Sequence, residues 1–282
     1  MTTVNMSEAN DVSNNDNQVT CNMTAATEAN NDELILAQEK QIEKEIADKT
    51  DLVGQRLEVS KLVNEYSADD HIYRHKIFDL QKSYAFIRKT RPDGNCFFRA
   101  FSFGYFEYLL RDRQELDRFW PIAQQSKDKL VEQGFPQFTI EDFHEVFMDI
   151  LKKIREGIKV EELVELFNES GISDYLVVYV RLITSGHLQK ESEFFSNFIE
   201  GHRTVSEFCK QEVEPMYKES DHIHIIALTA EFKVGVRIVY MDRGEGGKAN
   251  THDFGIEDGS PDVPKVFLLY RPGHYDVLYP VN

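Results

Sequence analysis

The hydrophobic period of this chain changes once, near Pro215, and that change limits the available folds more than any other feature. Upstream, from about Leu57 to Phe86 and again from Phe97 to Cys209, apolar residues recur mainly at helical intervals. Downstream, HIHIIAL, VGVRIVY, VFLLY and HYDVLY are short, β-branched and aromatic runs that read as strands. Polar or Gly/Pro-rich stretches, DRGEGGK and DGSPDVPK, separate them. A block of helices followed by strands predicts an α+β fold with a mainly antiparallel sheet. FTIEDFHEVFMDILKKI and VEELVELF read as core-facing helices, with breaks expected at Gly134 to Pro136, Gly157, Gly171, Gly186 and Gly201.

Composition divides the chain in three. Residues 1 to 32 are rich in Asn, Thr, Ser and acids and contain no Lys or Arg, so they have too little apolar surface to offset ordering entropy. This stretch is predicted to be a disordered acidic tail. Residues 33 to 50, ELILAQEKQIEKEIADKT, lack Gly and Pro and read as a helical arm capped by Asp32. Its narrow apolar stripe of Ile35, Ile42 and Ile46 needs a surface, either a partner or the chain's own domain. Residues 51 to 282 form the remaining folded domain.

Several function classes fall away on composition. No apolar run approaches the roughly 20 residues of a membrane-spanning helix, and the first residues lack the pattern of a secretory signal. Cys21, Cys96 and Cys209 are odd in number and far apart, which argues against disulfides and against a thiolate zinc site. The expected setting is therefore reducing: the cytoplasm, with the nucleus as a second compartment. A net charge of −17, from 49 acidic against 32 basic residues, repels nucleic acid. Neither nucleic acid nor membrane is an expected partner.

Cys96 combines two features that favour chemistry. It follows the turn RPDGN, where Gly94 or Asn95 tolerates positive φ, and it opens the apolar helix CFFRAFSFGYFEYLL. A thiol at a helix N-terminus feels the positive end of the helix dipole, which favours the reactive thiolate. The backbone amides of Asp93, Gly94, Asn95 and Cys96 can converge as an oxyanion hole. A buried structural cysteine is the competing reading, and the polar turn argues against deep burial. His274 opens HYDVLY after the turn RPG, and residues two apart on a strand share a face, so Asp276 lies within reach of its imidazole. A nucleophile, a base and an orienting carboxylate form one catalytic unit, although a surface His beside a surface Asp would show the same spacing. His222 with His224, and His71 with His75, lack both the glutamate and the third ligand of a zinc site, so no metal or cofactor is expected.

RPDGNCFFRAF, from Arg91 to Phe101, resembles the nucleophile motif of the ovarian-tumour (OTU) cysteine proteases, and RPGHYDVLYP resembles their C-terminal histidine motif. EPMYKESDHIHIIAL and YMDRGEGG are similar to the otubain subfamily, in the form with an N-terminal extension. The resemblance implies a papain-like fold in which a five-stranded sheet lies between helical lobes, with 51–282 as the catalytic domain. It implies Cys96 as nucleophile, His274 as base, Asp276 as orienting acid, and Asp93 as part of the oxyanion turn. The implied activity is hydrolysis of ubiquitin–ubiquitin isopeptide bonds, with a preference for chains linked through lysine forty-eight. A first ubiquitin would lie over about 211 to 222, with Glu214, Met216, Tyr217, Asp221 and His222 among its contacts, and the arm isoleucines would meet a second partner. A ubiquitin-conjugating enzyme, bound through the arm and inhibited without catalysis, is the alternative partner.

Overall fold

A computed structural model describes residues 50–244, 247–256 and 263–281, together with Gln38 and Gln41. The chain divides after Lys49. In the first unit Gln38 and Gln41 are helical. The tail 1–32 and the arm residues Ile35, Ile42 and Ile46 lie outside the described residues. No helix among the described residues is long and apolar enough to cross a membrane.

The second unit is built on a mixed sheet with two helical layers. Its six described strands are β1 (Val53–Glu58), β2 (Tyr84–Thr90), β3 (Val236–Tyr240), β4 (Asn250–Phe254), β5 (Val266–Arg271) and β6 (His274–Pro280), in the spatial order β1-β2-β6-β5-β3-β4. All neighbouring pairs are antiparallel except β3 with β5. The helices are α1 (His71–Leu80), α2 (Cys96–Leu109), α3 (Arg113–Glu132), α4 (Gln137–Glu156), α5 (Val160–Asn168), α6 (Ser170–Lys190), the single turns α7 (Ser192–Phe195) and α8 (Val205–Phe208), and α9 (His222–Phe232).

Strand alternation assigns side chains to two cores. Val236, Ile238, Val266, Leu268, Tyr275 and Val277 join α2 to α6 in the main core. Val239, Leu269 and Leu278, from the opposite face, meet Tyr73, Ile77 and Leu80 of α1 and Val59 and Leu62 of a 3-10 helix, Val59–Glu65. The sheet thus lies between helical layers, which is the expected α+β architecture. α2 is apolar almost all round and accordingly buried on nearly every face. Phe97 packs edge-on against Tyr275 of β6, with ring centres 5.3 Å apart, so burial of that ring ties the start of α2 to the start of β6.

Four expectations need correction. HIHIIAL is not a strand but the start of α9; Asp221 caps it, and its N–H donates to Nδ1 of His224 at 3.0 Å. His224, Ile225, Leu228 and Phe232 then face inward at helical spacing, a period that seven residues were too few to reveal. The stretch 57–86 is not wholly helical, because β2 begins inside it; β2 is an interior strand flanked on both sides, so its pattern does not alternate. The sheet has six described strands rather than five: β4, NTHDF, is a polar edge strand with no apolar signal. Gly171 and Gly186 do not break α6. A Cβ on Gly186 would lie 2.8 Å from Cδ2 of Leu130, so this glycine permits close helix packing instead.

Candidate active site

The site begins where β2 ends. Asp93 accepts the Asn95 N–H at 2.9 Å and holds Nη1 of Arg99 at 2.9 and 2.8 Å with its two oxygens. Arg99 is fully buried and also reaches Ser173 and Asp174 on α6. Burial raises the Asp174 carboxyl against the lowering pull of Arg99. Asp93 thus braces the turn with its side chain. Its own N–H donates to Arg91 O at 3.0 Å. The four-amide oxyanion expectation therefore narrows, because the Asp93 and Asn95 amides are already committed. Gly94 takes φ +72°, and a Cβ there would fall 2.3 Å from Tyr217 O, so both conformation and space demand glycine. Asn95 Oδ1 accepts from Tyr217 N–H at 3.0 Å and from Arg181 Nη2 at 2.9 Å.

Cys96 occupies the first position of α2 and is only 3% exposed. The expected shallow placement is corrected here: the segment 214–220 folds back over the turn, bringing Tyr217 against Gly94. Tyr217 itself takes φ +66° with a mostly exposed ring, a conformation that costs energy without glycine.

His274 and Asp276 share a face of β6, and Nε2 of the imidazole lies 2.8 Å from Asp276 Oδ1. Beyond Arg88↔Val277 the β2–β6 ladder ends. There the Asp276 carboxylate takes the place of a backbone acceptor, receiving the Thr90 N–H at 2.9 Å. Its Oδ2 accepts from Arg271, which also binds Glu65 at 2.8 Å. Burial disfavours the Asp276 anion, but the donors from His274, Arg271 and Thr90 outweigh it and keep the carboxyl below its usual range. Burial likewise opposes the His274 cation. The bond to Asp276 and the proximity of Cys96 overcome that and push the imidazole up to about 9. Its Nδ1 is buried without a hydrogen-bond partner of ordinary geometry among the described residues. The structure therefore brings Cys96, His274 and Asp276 together, with the His–Asp bond formed at 2.8 Å.

The other singled-out residues are placed as follows. Glu214 accepts from Ser185 Oγ at 2.7 Å, Met216 packs against the main core, and Asp221 caps α9. His222 stacks on Tyr240 and lies 2.9 Å from its hydroxyl. Asp221 and His222 also line a groove of about 460 Å³ with Phe198, Ile199, Ile223 and Ile226. Cys209 is buried, and burial pushes its thiol up to about 11, which makes it inert at neutral pH. Cys21 lies outside the described residues. Sequence reasoning missed Arg99, Arg181 and Arg271. The first two were visible as single charges inside the apolar runs CFFRAF and YLVVYVRLI, and the third stands in RPGHYD itself.

Residues 45–280 match the family model described as Peptidase C65 Otubain. The human protein "Ubiquitin thioesterase OTUB1" is 58% identical over 248 residues, covering 88% of this chain and 90% of its own length. The Arabidopsis thaliana "OVARIAN TUMOR DOMAIN-containing deubiquitinating enzyme 1" is 42% identical over 84% of each chain. Among solved structures, h/ceOTUB1 in complex with ubiquitin aldehyde and UBCH5B~Ub superposes with a TM-score of 0.83 at 38% identity, over 90% of this chain and all of that one.

Proposed function

This chain belongs to the otubain family, peptidase C65, and from that membership we propose how its residues act. It is a deubiquitinating cysteine peptidase. The Cys96 thiolate attacks the carbonyl at the C-terminus of the distal ubiquitin, and the amides of Gly94 and Cys96 receive the developing oxyanion. The His274 imidazolium protonates the departing lysine amine, leaving a thioester on Cys96. Neutral His274 then takes a proton from water as it attacks that thioester, which releases ubiquitin and restores the Cys96 thiolate beside the His274 imidazolium. Asp276 holds the imidazole through Nε2, which leaves Nδ1 as the nitrogen that serves the sulfur. The observation that carries this assignment is the meeting of Cys96, His274 and a buried, triply donated Asp276 at the junction of α2 and β6.

The groove beside His222 is our proposed seat for the distal ubiquitin, since it is apolar, open and adjacent to the segment over Cys96. We further propose a preference for chains linked through lysine forty-eight, the family's habit, and a cytoplasmic location. Incubation with a panel of di-ubiquitins tests both activity and linkage. Cleavage of the lysine-forty-eight dimer first is expected. Equal rates across linkages would remove the preference, and no cleavage of any dimer would remove the isopeptidase reading.

A second reading is favoured by one finding, the complexes of h/ceOTUB1 with UBCH5B~Ub and with UBC13~Ub. Inhibition of a charged conjugating enzyme would need the arm and not the thiol. A Cys96→Ala variant that still slows ubiquitin discharge would support it.

A further inference from the structure

Arg181 sits in the middle of α6 with no exposed surface. Its guanidinium makes four hydrogen bonds, none of them to a carboxylate. Nη1 donates to Val213 O at 3.0 Å, and Nη2 donates to Gly94 O at 2.9 Å, Asn95 Oδ1 at 2.9 Å and Lys218 O at 2.7 Å. Its carbon end lies 4.5 Å from the centre of the Phe98 ring, and Nε has no partner among the described residues. A buried cation without an anion is expensive, and a buried arginine would ordinarily be paired. Here the anion whose charge it feels, Asp93, is already held by Arg99 and by the Asn95 amide.

The cost is concentrated at one place. Every acceptor of Arg181 belongs to the nucleophile turn (Gly94, Asn95), to the segment that folds over it (Lys218), or to the residue that leads into that segment (Val213). Asn95 repeats the pattern. Its Oδ1 serves Arg181 and the Tyr217 amide, while its Nδ2 is buried with no acceptor. An aspartate at position 95 would satisfy both groups, keeping the acceptor, removing the stranded donor and giving Arg181 its anion. The chain carries asparagine instead, which leaves the Arg181 guanidinium without a hydrogen-bonded carboxylate.

We propose that Arg181 is a positioning residue for the deubiquitinating reaction: its fork fixes the Gly94 and Asn95 peptides that present the oxyanion amides, and its charge, which has no hydrogen-bonded carboxylate, faces the oxyanion that forms at Cys96. The inference rests on the reading of Cys96 as nucleophile. Burial lowers the guanidinium only to about 10, so it remains charged at neutral pH. Also around Cys96 stand His274, Tyr275 and Asp276 from β6, Asp93 from the turn, Arg99 from α2 and Glu219, whose carboxylate lies beside Gly273; the variants below leave all of these in place.

The test compares Asn95→Asp and Arg181→Lys in the full chain, with three readouts: melting temperature, single-turnover cleavage of a ubiquitin–fluorophore, and the pH dependence of iodoacetamide alkylation read at Cys96 by peptide mass. Asn95→Asp is expected to melt higher, to cleave roughly ten- to a hundredfold more slowly with KM little changed, and to move the alkylation midpoint to higher pH. Arg181→Lys keeps the charge and loses the fork, so its cleavage should slow by roughly tenfold while its alkylation profile stays near that of the parent. A folded Asn95→Asp with parental cleavage and profile would overturn the proposal. So would a folded Arg181→Lys with parental cleavage, and that arm decides if Asn95→Asp fails to fold. Alkylation that never occurs at Cys96 in the parent would instead count against the nucleophile assignment itself.

Discussion

At the residue scale the pH behaviour follows from the His274–Asp276 pair. The folded-state value of His274, about 9, lies above the ordinary 6.5. The stability it contributes is therefore fully present below about 6.5 and is lost as pH climbs through about 9. Asp276, held below its usual range, has the opposite sign and loses its contribution only in acid. Thermal melting followed against pH should therefore decline between 6.5 and 9, and His274→Ala should flatten that limb. In kinetics, the imidazolium is needed as proton donor, so kcat/KM should fall on an alkaline limb near 9. Asp276→Asn should move that limb to lower pH, because removing the carboxylate weakens the cation. His274→Ala should cost nearly as much activity as losing Cys96, and Asp276→Asn less, since an amide oxygen can still orient the ring. Equal rates for Asp276→Asn and the parent would remove Asp276 from the unit. Gly94→Ala forces a β-carbon into a positive-φ site and against Tyr217 O. It should lower stability by about 1–2 kcal/mol and, by displacing the segment over Cys96, should reduce cleavage more than its change in melting temperature implies. These roles explain why four residues, Gly94, Cys96, His274 and Asp276, were legible early. A turn glycine, a helix-opening cysteine and an H-x-D strand each leave a local mark, whereas the contacts of Arg181 and Asn95 span 86 positions in sequence and leave none.

At the element scale, the start of α2 is fixed by packing against β6. Phe97→Ala should cost about 3–5 kcal/mol, the usual toll of emptying a buried aromatic site, measurable by denaturant unfolding. Under conditions where it remains folded it should also slow cleavage, because the ring sets the approach of Cys96 to His274. Elements with strong periodicity were legible: α4 and α5 from their amphipathic stripes, and β3, β5 and β6 from β-branched runs. The misread ones share a physical cause. In β2, burial on both faces erases the contrast between them; in α9 the exposed Ile226 adds an apolar residue to the outer face of a seven-residue run and hides its helical period; and β4 is a solvent-facing edge with nothing to bury. The arm, residues 33–50, belongs to this scale too. If it docks on a second ubiquitin or on a conjugating enzyme, deleting residues 1–50 should raise KM for di-ubiquitin while sparing a ubiquitin–fluorophore, with little change in melting temperature. Equal loss on both substrates with a lower melting temperature would mean that the arm packs on its own domain.

At the scale of the whole molecule, two helical layers press a sheet whose interior strand β6 carries both base and orienting acid. The same burial that makes the strand stable makes the Asp276 charge costly, and Arg271, Thr90 and His274 offset that cost. The net charge of −17 leaves the surface suited to neutral or basic protein partners and hostile to nucleic acid. Within that frame the central claim is that Cys96 is the nucleophile toward the C-terminus of ubiquitin. Its most direct test is a ubiquitin bearing a C-terminal electrophile, with the adduct located by peptide mass spectrometry in the parent and in His274→Ala. The account predicts a single adduct on Cys96, formed much more slowly without His274, and none on Cys209, whose thiol burial keeps protonated. An adduct on Cys209 or Cys21, or labelling of Cys96 at an undiminished rate in His274→Ala, would contradict it.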